Sequence, residues 1–207
     1  MVKITKIDFV RTAACLTLDD DRKVWLSRPD LLESGWREGQ EIGKAAFDRF
    51  VELHQYPRAL NQAVSMLARR PCSKGEILQN LKRHRYTDDV ISLVVYNLEK
   101  ENLLDDREFS DLWVKQRGGK LGSLRIRQEL RRKGVSEETA EEALSQISDE
   151  DQLESAVALA KKAWSRTKPG EDPRKSRQRI ISSLVRKGFS WDLAKKASDD
   201  AESSRLT

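Results

Sequence analysis

The apolar positions of this 207-residue chain follow two different periods, and the change between them falls near residue 43. Before it they alternate. Ile4, Ile7 and Phe9 make one short run, and Ala14, Leu16 and Leu18 a second. Asp19, Asp20 and Asp21 mark a turn, and Lys23-Val24-Trp25-Leu26 makes a third run. Alternation of this kind is the mark of half-buried strands. Pro29 stops the third strand, Leu31–Gly35 reads as a short helical turn, and Ile42 closes the small sheet. The period then lengthens. A helix is predicted from about Lys44 to Gln55, with Phe47, Phe50 and Val51 on one side, ending before Pro57.

From Pro57 onward the pattern is helical throughout, and it repeats. In the first unit Leu60, Val64 and Leu67 stand at i, i+4 and i+7. Pro71 ends that helix. Ser73 and Glu76 have the spacing of a capping box for the next helix, whose buried stripe is Ile77 and Leu81. Thr87 caps a third helix carrying Val90, Ile91, Val94 and Leu98. The second unit gives Phe109, Trp113 and Val114, then Ile126 and Leu130, then Ser136 before Ala140, Ala143 and Leu144. The third gives Leu153, Val157, Ala160 and Trp164, then Ile180, Ile181 and Leu184, then Ser190 before Ala194 and Ala197. Ile77, Ile126 and Ile180 align at separations of 49 and 54 residues, with Pro169 and Pro173 bracketing the loop that lengthens the third unit. A period near fifty residues means a supersecondary unit used several times.

The chain is therefore predicted to be mainly α: three tandem three-helix repeats in an elongated, curved array behind a β-rich module. The expected boundaries are 1–43 for that module, 44–57 for a connecting helix, 58–104, 105–148 and 149–203 for the repeats, and 204–207 for a frayed tail. Gly134 and Gly188 occupy the helix-ending position that favours a left-handed backbone, where Arg85 stands in the first unit. On sequence grounds Arg85→Gly is neutral or stabilising. Apolar residues make up 38% and charged ones 35%, which supplies several thin cores rather than one thick one.

Chemistry is sparse. His54 and His84 sit on different predicted helices without a cysteine nearby, so they form no metal site and read as solvated. Gly39–Ala45 has a glycine–lysine step, but Glu38 replaces the first glycine of a phosphate loop and Ala45 lacks the hydroxyl that would hold magnesium. Asp105-Asp106 and Asp19–Asp21 fit a helix start and a turn. No cofactor or enzyme activity is predicted. Cys15 and Cys72 lack metal or redox spacing and read as reduced thiols of a cytoplasmic protein. No apolar run is long enough to span a membrane and no secretory leader is recognisable.

What does stand out is charge. Residues 1–57 hold nine basic and ten acidic groups, whereas residues 58–207 hold thirty and twenty-four. The excess gathers on the middle helices of units two and three. Arg125, Arg127, Arg131, Arg132 and Lys133 face only Glu129, and Arg174, Lys175, Arg177, Arg179, Arg186 and Lys187 run without an acid. Lys115 and Arg117 extend the set, and Arg83, Arg132 and Arg186 share one repeat position, so three units could present a row of guanidinium groups. Dipole complementarity accounts for Arg131–Lys133 at a helix end but not for Arg125 or Arg127 near its start. An anion-binding surface is the reading this favours. The aromatic residues Phe109, Trp113 and Trp164 fall on core stripes; Trp191, just after the Ser190 cap, is left open between core and surface.

One stretch resembles a known family. Leu103–Val135 has an acidic pair (Asp105, Asp106), Phe109, Arg117 eight residues later, Gly122, then a basic helix with Ile126 and Leu130 ending Lys133-Gly134-Val135. This is similar to the RecX regulatory proteins, modulators of the RecA recombinase, and the resemblance extends over roughly Arg58–Ala201. It implies a monomeric, non-enzymatic regulator that binds RecA and the RecA–DNA filament. It also implies damped recombinase, ATPase and coprotease activity in homologous recombination, DNA repair and the SOS response, with nonspecific affinity for single- or double-stranded DNA. The alternative from the residues alone is a helix-turn-helix module acting directly on DNA.

Overall fold

A computed structural model describes residues 1–168 and 170–206; Pro169, assigned above to the third unit's loop, and Thr207, assigned to the tail, lie outside them. Two compact units divide the chain, Met1–Asp105 and the residues from Asp106 onward.

In the first unit β1 (Val2–Val10), β2 (Ala13–Leu18), β3 (Lys23–Ser27) and β4 (Glu41–Ile42) form an antiparallel sheet in the order β3-β2-β1-β4. The alternating residues point inward as predicted: Ile4, Ala14, Leu16, Leu18, Val24 and Leu26 are buried. They pack with Leu31 of α1 (Arg28–Ser34) and with Phe47 and Val51 of α2 (Lys44–Leu67). Phe9 is the exception and lies exposed at the open end of β1.

Helix α2 departs from the sequence reading. It runs unbroken for 24 residues with Pro57 inside it, where a break was predicted. A mid-helix proline leaves the carbonyl four residues earlier without its amide. Here that residue is Leu53, which is 67% exposed, so water can take the place of the lost donor. The first turns of α2 cover the sheet and the later ones, through Ala59 and Ala63, join the core of the first helical unit. That core also takes Ile77 and Leu81 of α3 (Lys74–Arg83) and Val90, Ile91, Val94 and Leu98 of α4 (Asp88–Lys100).

Two buried polar side chains fasten the sheet to α2 and α4. Gln55, 4% exposed, donates to the Trp25 carbonyl (2.7 Å) and accepts from the Thr87 amide (2.9 Å), spanning β3 to the start of α4. Thr87 thus spends its hydroxyl on Gln55 and makes no side-chain cap, contrary to the expectation. Asp30, 3% exposed, receives both Arg58 amino groups at 2.5 and 2.8 Å. Burial pushes its carboxyl up, but the bonds from Arg58 and Ser27 prevail and hold it below the usual carboxylate range. His54 lies 3.5 Å from Asp30 and 3.7 Å from Glu33 and rests on the Phe50 ring, so it is a packed residue and not the solvated one predicted.

The second unit has two cores. Helices α5 (Asp106–Arg117), α6 (Ser123–Arg132) and α7 (Glu137–Leu144) close over Phe109, Val114, Ile126, Leu130, Ala140 and Ala143. Helices α8 (Asp149–Trp164), α9 (Pro173–Arg186) and α10 (Trp191–Leu206) close over Ala156, Ala160, Trp164, Ile180, Leu184, Phe189 and Ala197. Apart from Thr87, the caps read from the sequence form, and Ser148 adds one that was not. Ser73 and Ser148 make complete capping boxes, and Ser136 and Ser190 accept from amides three residues on. Helix α10 runs through Leu206, over residues 204–206 that the sequence reading assigned to the tail.

Candidate functional site

The basic side chains singled out in the sequence separate into two groups. One group holds the fold together. Arg127 reaches from α6 to Glu137 (3.7 Å) and Glu141 on α7. Arg125 lies 3.9 Å from Glu129, which Arg117 also approaches at 3.5 Å while stacking 4.6 Å over Trp113. Lys133 sits 4.2 Å above the same ring and 5.6 Å from Phe109. Arg177 pairs with Asp199 on α10, and Arg179 with Glu171 at 2.7 Å. The early arginines that the dipole could not explain are therefore accounted for by acids, Glu129 on the same helix for Arg125 and Glu137 and Glu141 on α7 for Arg127.

The other group is open to solvent. Lys115, Arg131, Arg132, Arg174, Lys175 and Arg186 are exposed, Lys187 is half-buried, and among the described residues none has an acidic partner. Arg83 is likewise exposed, in the last turn of α3 in the first unit.

The ends of α6 and α9 meet at a joint. The Gly122 amide donates to the Lys187 carbonyl (3.0 Å) and the Leu124 amide to the Gly188 carbonyl (3.3 Å). The first amides of α6 are thus satisfied by the last carbonyls of α9, opposite ends of two helix dipoles. Glycine is required on both sides: a Cβ on Gly122 would fall onto the Gly188 carbonyl, and one on Gly188 onto Arg125. The Gln152 side chain closes the ring by accepting from the Ser123 amide at 3.3 Å. Because Arg186 lies at this joint and Arg132 at the far end of the ten-residue α6, about 15 Å of helix separates them.

A basic cleft lies beside the joint. Its wide part, about 770 Å³, is lined by Arg166, Lys168, Arg179 and Arg186 with Ala163, Ile180 and Ser183 between them. A narrower part of about 230 Å³ adds Lys162 and Lys187. Lys162, Arg166 and Lys168 were missed in the sequence. They stand on the end of α8 and in the following loop, away from the basic helix on which the charge count drew attention. The signal was present in the lengthened spacing of the third unit, which supplies that loop. A second cleft, of about 540 Å³, is lined by Lys115, Asp111, Gln146 and Asp151 and carries charges of both signs.

Comparison with known proteins accords with this architecture. Residues 105–144 match the family model described as RecX, second three-helix domain, and residues 149–197 match RecX, third three-helix domain. The regulatory protein RecX of Corynebacterium efficiens is 34% identical over 183 residues, covering 84% of this chain and 87% of its own. The chain belongs to the RecX family. The RecX of Streptococcus gordonii is 30% identical over 199 residues, 95% of this chain and 76% of that protein. The crystal structure of RecX from Lactobacillus salivarius superimposes with a TM-score of 0.65 at 26% identity, over 71% of this chain and 96% of that one. Among the described residues, no helix of this RecX-family chain is long and apolar enough to cross a membrane. Cys15 and Cys72 are both buried, and burial pushes the Cys15 thiol up, away from the reactive thiolate.

Proposed function

We propose that this chain is a non-enzymatic cytoplasmic regulator of RecA, which binds the recombinase and its nucleoprotein filament as a monomer and damps its ATPase, strand-exchange and coprotease activities during DNA repair. Membership of the RecX family carries the reading. The three-helix units support it physically. Arg132 and Arg186 are exposed cations without an acidic partner among the described residues, at corresponding helix ends in consecutive units, so one chain can make the same kind of contact more than once. Linking weak contacts converts the later ones into intramolecular events, which multiplies affinity without any single strong site.

The test is the DNA-dependent ATPase of RecA on single-stranded DNA, measured with the full chain added from substoichiometric amounts to excess. A dose-dependent fall in turnover is the outcome this function predicts. An ATPase that is unchanged at stoichiometric excess overturns it.

A further inference from the structure

A groove of about 580 Å³ lies in the first unit, between the start of β3, the first half of α2 and the start of α4. Its floor is Val24, Phe47, Val51 and Val90. Strand β3 is at the sheet edge, with β2 on one side and no strand on the other. Residues of an antiparallel strand turn their backbone groups alternately to either side. The Trp25 carbonyl turns away from β2, to the Gln55 side chain at 2.7 Å. The amide and carbonyl of Lys23, two residues back, therefore turn the same way. Gln55 does for Trp25 what the amide of a neighbouring strand would do, and Lys23 has no such partner among the described residues. Across the groove, Thr87 spends its hydroxyl on Gln55, and the amides of Asp88 and Asp89 in the first turn of α4 have no acceptor among the described residues. Open backbone groups thus stand on both sides. The rim is acidic once its local pairs are set aside. Asp48 is held by Lys44 at 2.7 Å, Asp88 lies 3.5 Å from Lys82, and Arg22 is held by Asp20 at 2.6 Å. Glu52 and Asp89 remain, exposed and without a basic partner among the described residues, against Lys23.

We infer that this groove takes an extended segment of a partner protein in which apolar and basic side chains alternate. The segment lies beside β3 as an added strand, so that main-chain bonds supply affinity and alternate side chains supply choice. An extended chain carries amides and carbonyls along both edges, which suits Lys23 on one side and the α4 amides on the other. One face of the segment meets the apolar floor, and the other brings lysine or arginine to Glu52 and Asp89. A second copy of this chain is the poorer occupant. Two β3 edges paired about Lys23 would set one lysine against the other, and like charges directly opposite are destabilising. The site stands on the groove and not on the RecA reading.

Nuclear magnetic resonance of the isotope-labelled full chain, titrated with the capped peptide acetyl-Val-Lys-Val-Lys-Val-amide and no RecA, tests it. Saturable shifts should centre on the amides of Lys23, Trp25, Asp88 and Asp89. N-methylating every residue of the peptide removes its donors and keeps its charge, and should weaken binding at least about tenfold. Glu52→Lys/Asp89→Lys should also lose at least about tenfold. Glu138→Lys/Glu150→Lys, an equal charge change on exposed positions of the second unit, should lose less than about twofold. Should the groove reversal unfold the chain, Glu52→Gln/Asp89→Asn repeats the test with a loss of about fivefold. Shifts spread evenly over other acidic surfaces, equal binding by the N-methylated peptide, equal losses from the groove and control variants, or no binding by the native chain would each overturn the assignment. So would sedimentation showing a self-association that Glu52→Lys/Asp89→Lys abolishes, because the groove would then hold a second copy.

Discussion

At Arg85 two residue-scale effects oppose each other. Its φ of +67° is the left-handed conformation that Gly134 and Gly188 adopt at the same repeat position, with φ of +79° and +92°. An L-residue there costs roughly 1–2 kcal/mol relative to glycine. The sequence showed that cost but not its compensation. The guanidinium lies 3.9 Å over the ring of Trp25, sixty residues earlier, and a cation–π contact of an exposed cation is worth roughly 0.5–1 kcal/mol. The sequence expectation that Arg85→Gly is neutral or stabilising therefore rests on the relieved strain outweighing this contact. Arg85→Ala keeps the strained backbone and loses the contact, so it should destabilise the chain by about 0.5–1 kcal/mol. Arg85→Gly loses the same contact but recovers about 1 kcal/mol of strain. Urea unfolding of both variants checks this, and an alanine variant as stable as the native chain would show that the Trp25 contact contributes nothing. The Asp30–Arg58 pair and the Gln55 bridge were invisible in the sequence for the same reason. Periodicity ranks positions by exposure along one element and says nothing about which polar group meets another across twenty-eight or thirty-two residues.

Among elements, the repeat register was legible because each unit encodes it locally: a serine cap, an apolar stripe and a glycine reversal. What lay beyond the sequence was the use of one unit's helix end to complete another's. Gly188 was read as a reversal, which its φ supports, but it also forms the floor on which α6 begins. Gly188→Ala should therefore cost more than its backbone strain alone. Roughly 1–2 kcal/mol of strain combines with the loss of two amide–carbonyl bonds at about 1 kcal/mol each, giving roughly 3–4 kcal/mol. Gly134→Ala, at the equivalent but exposed turn, should cost only the strain of roughly 1–2 kcal/mol. Chemical denaturation distinguishes the two, and equal losses would mean that the joint adds nothing to stability. The unbroken α2 teaches the complementary point. A proline marks where one hydrogen bond is missing, and whether the helix stops there depends on what solvates the orphaned carbonyl.

For the whole molecule, a count of basic residues overstates the surface available to a partner, because acids from neighbouring helices occupy much of it. On α6 the distinction is sharp. Arg127 is half-buried and bridges Glu137 and Glu141, whereas Arg131 and Arg132 are exposed and have no acidic partner among the described residues. Reversing Arg127 would set three carboxylates against one another across the α6–α7 contact and should cost about 1 kcal/mol of stability. Any loss of RecA inhibition by that variant would then report on folding. Arg131→Glu/Arg132→Glu touches no ion pair, although acids at the end of a helix oppose its dipole by roughly 0.3–1 kcal/mol each. Lys133, immediately after them, remains in place over Trp113 to cover the helix end. The double variant should therefore keep native circular dichroism and melt within a few degrees of the native chain. If the free cations of α6 contact the filament, it should require at least tenfold more protein to reach half-inhibition of the RecA ATPase, which corresponds to about 1.4 kcal/mol of binding. Inhibition undiminished in a folded Arg131→Glu/Arg132→Glu chain would remove α6 from the contact surface and leave the free cations of α9 to carry it.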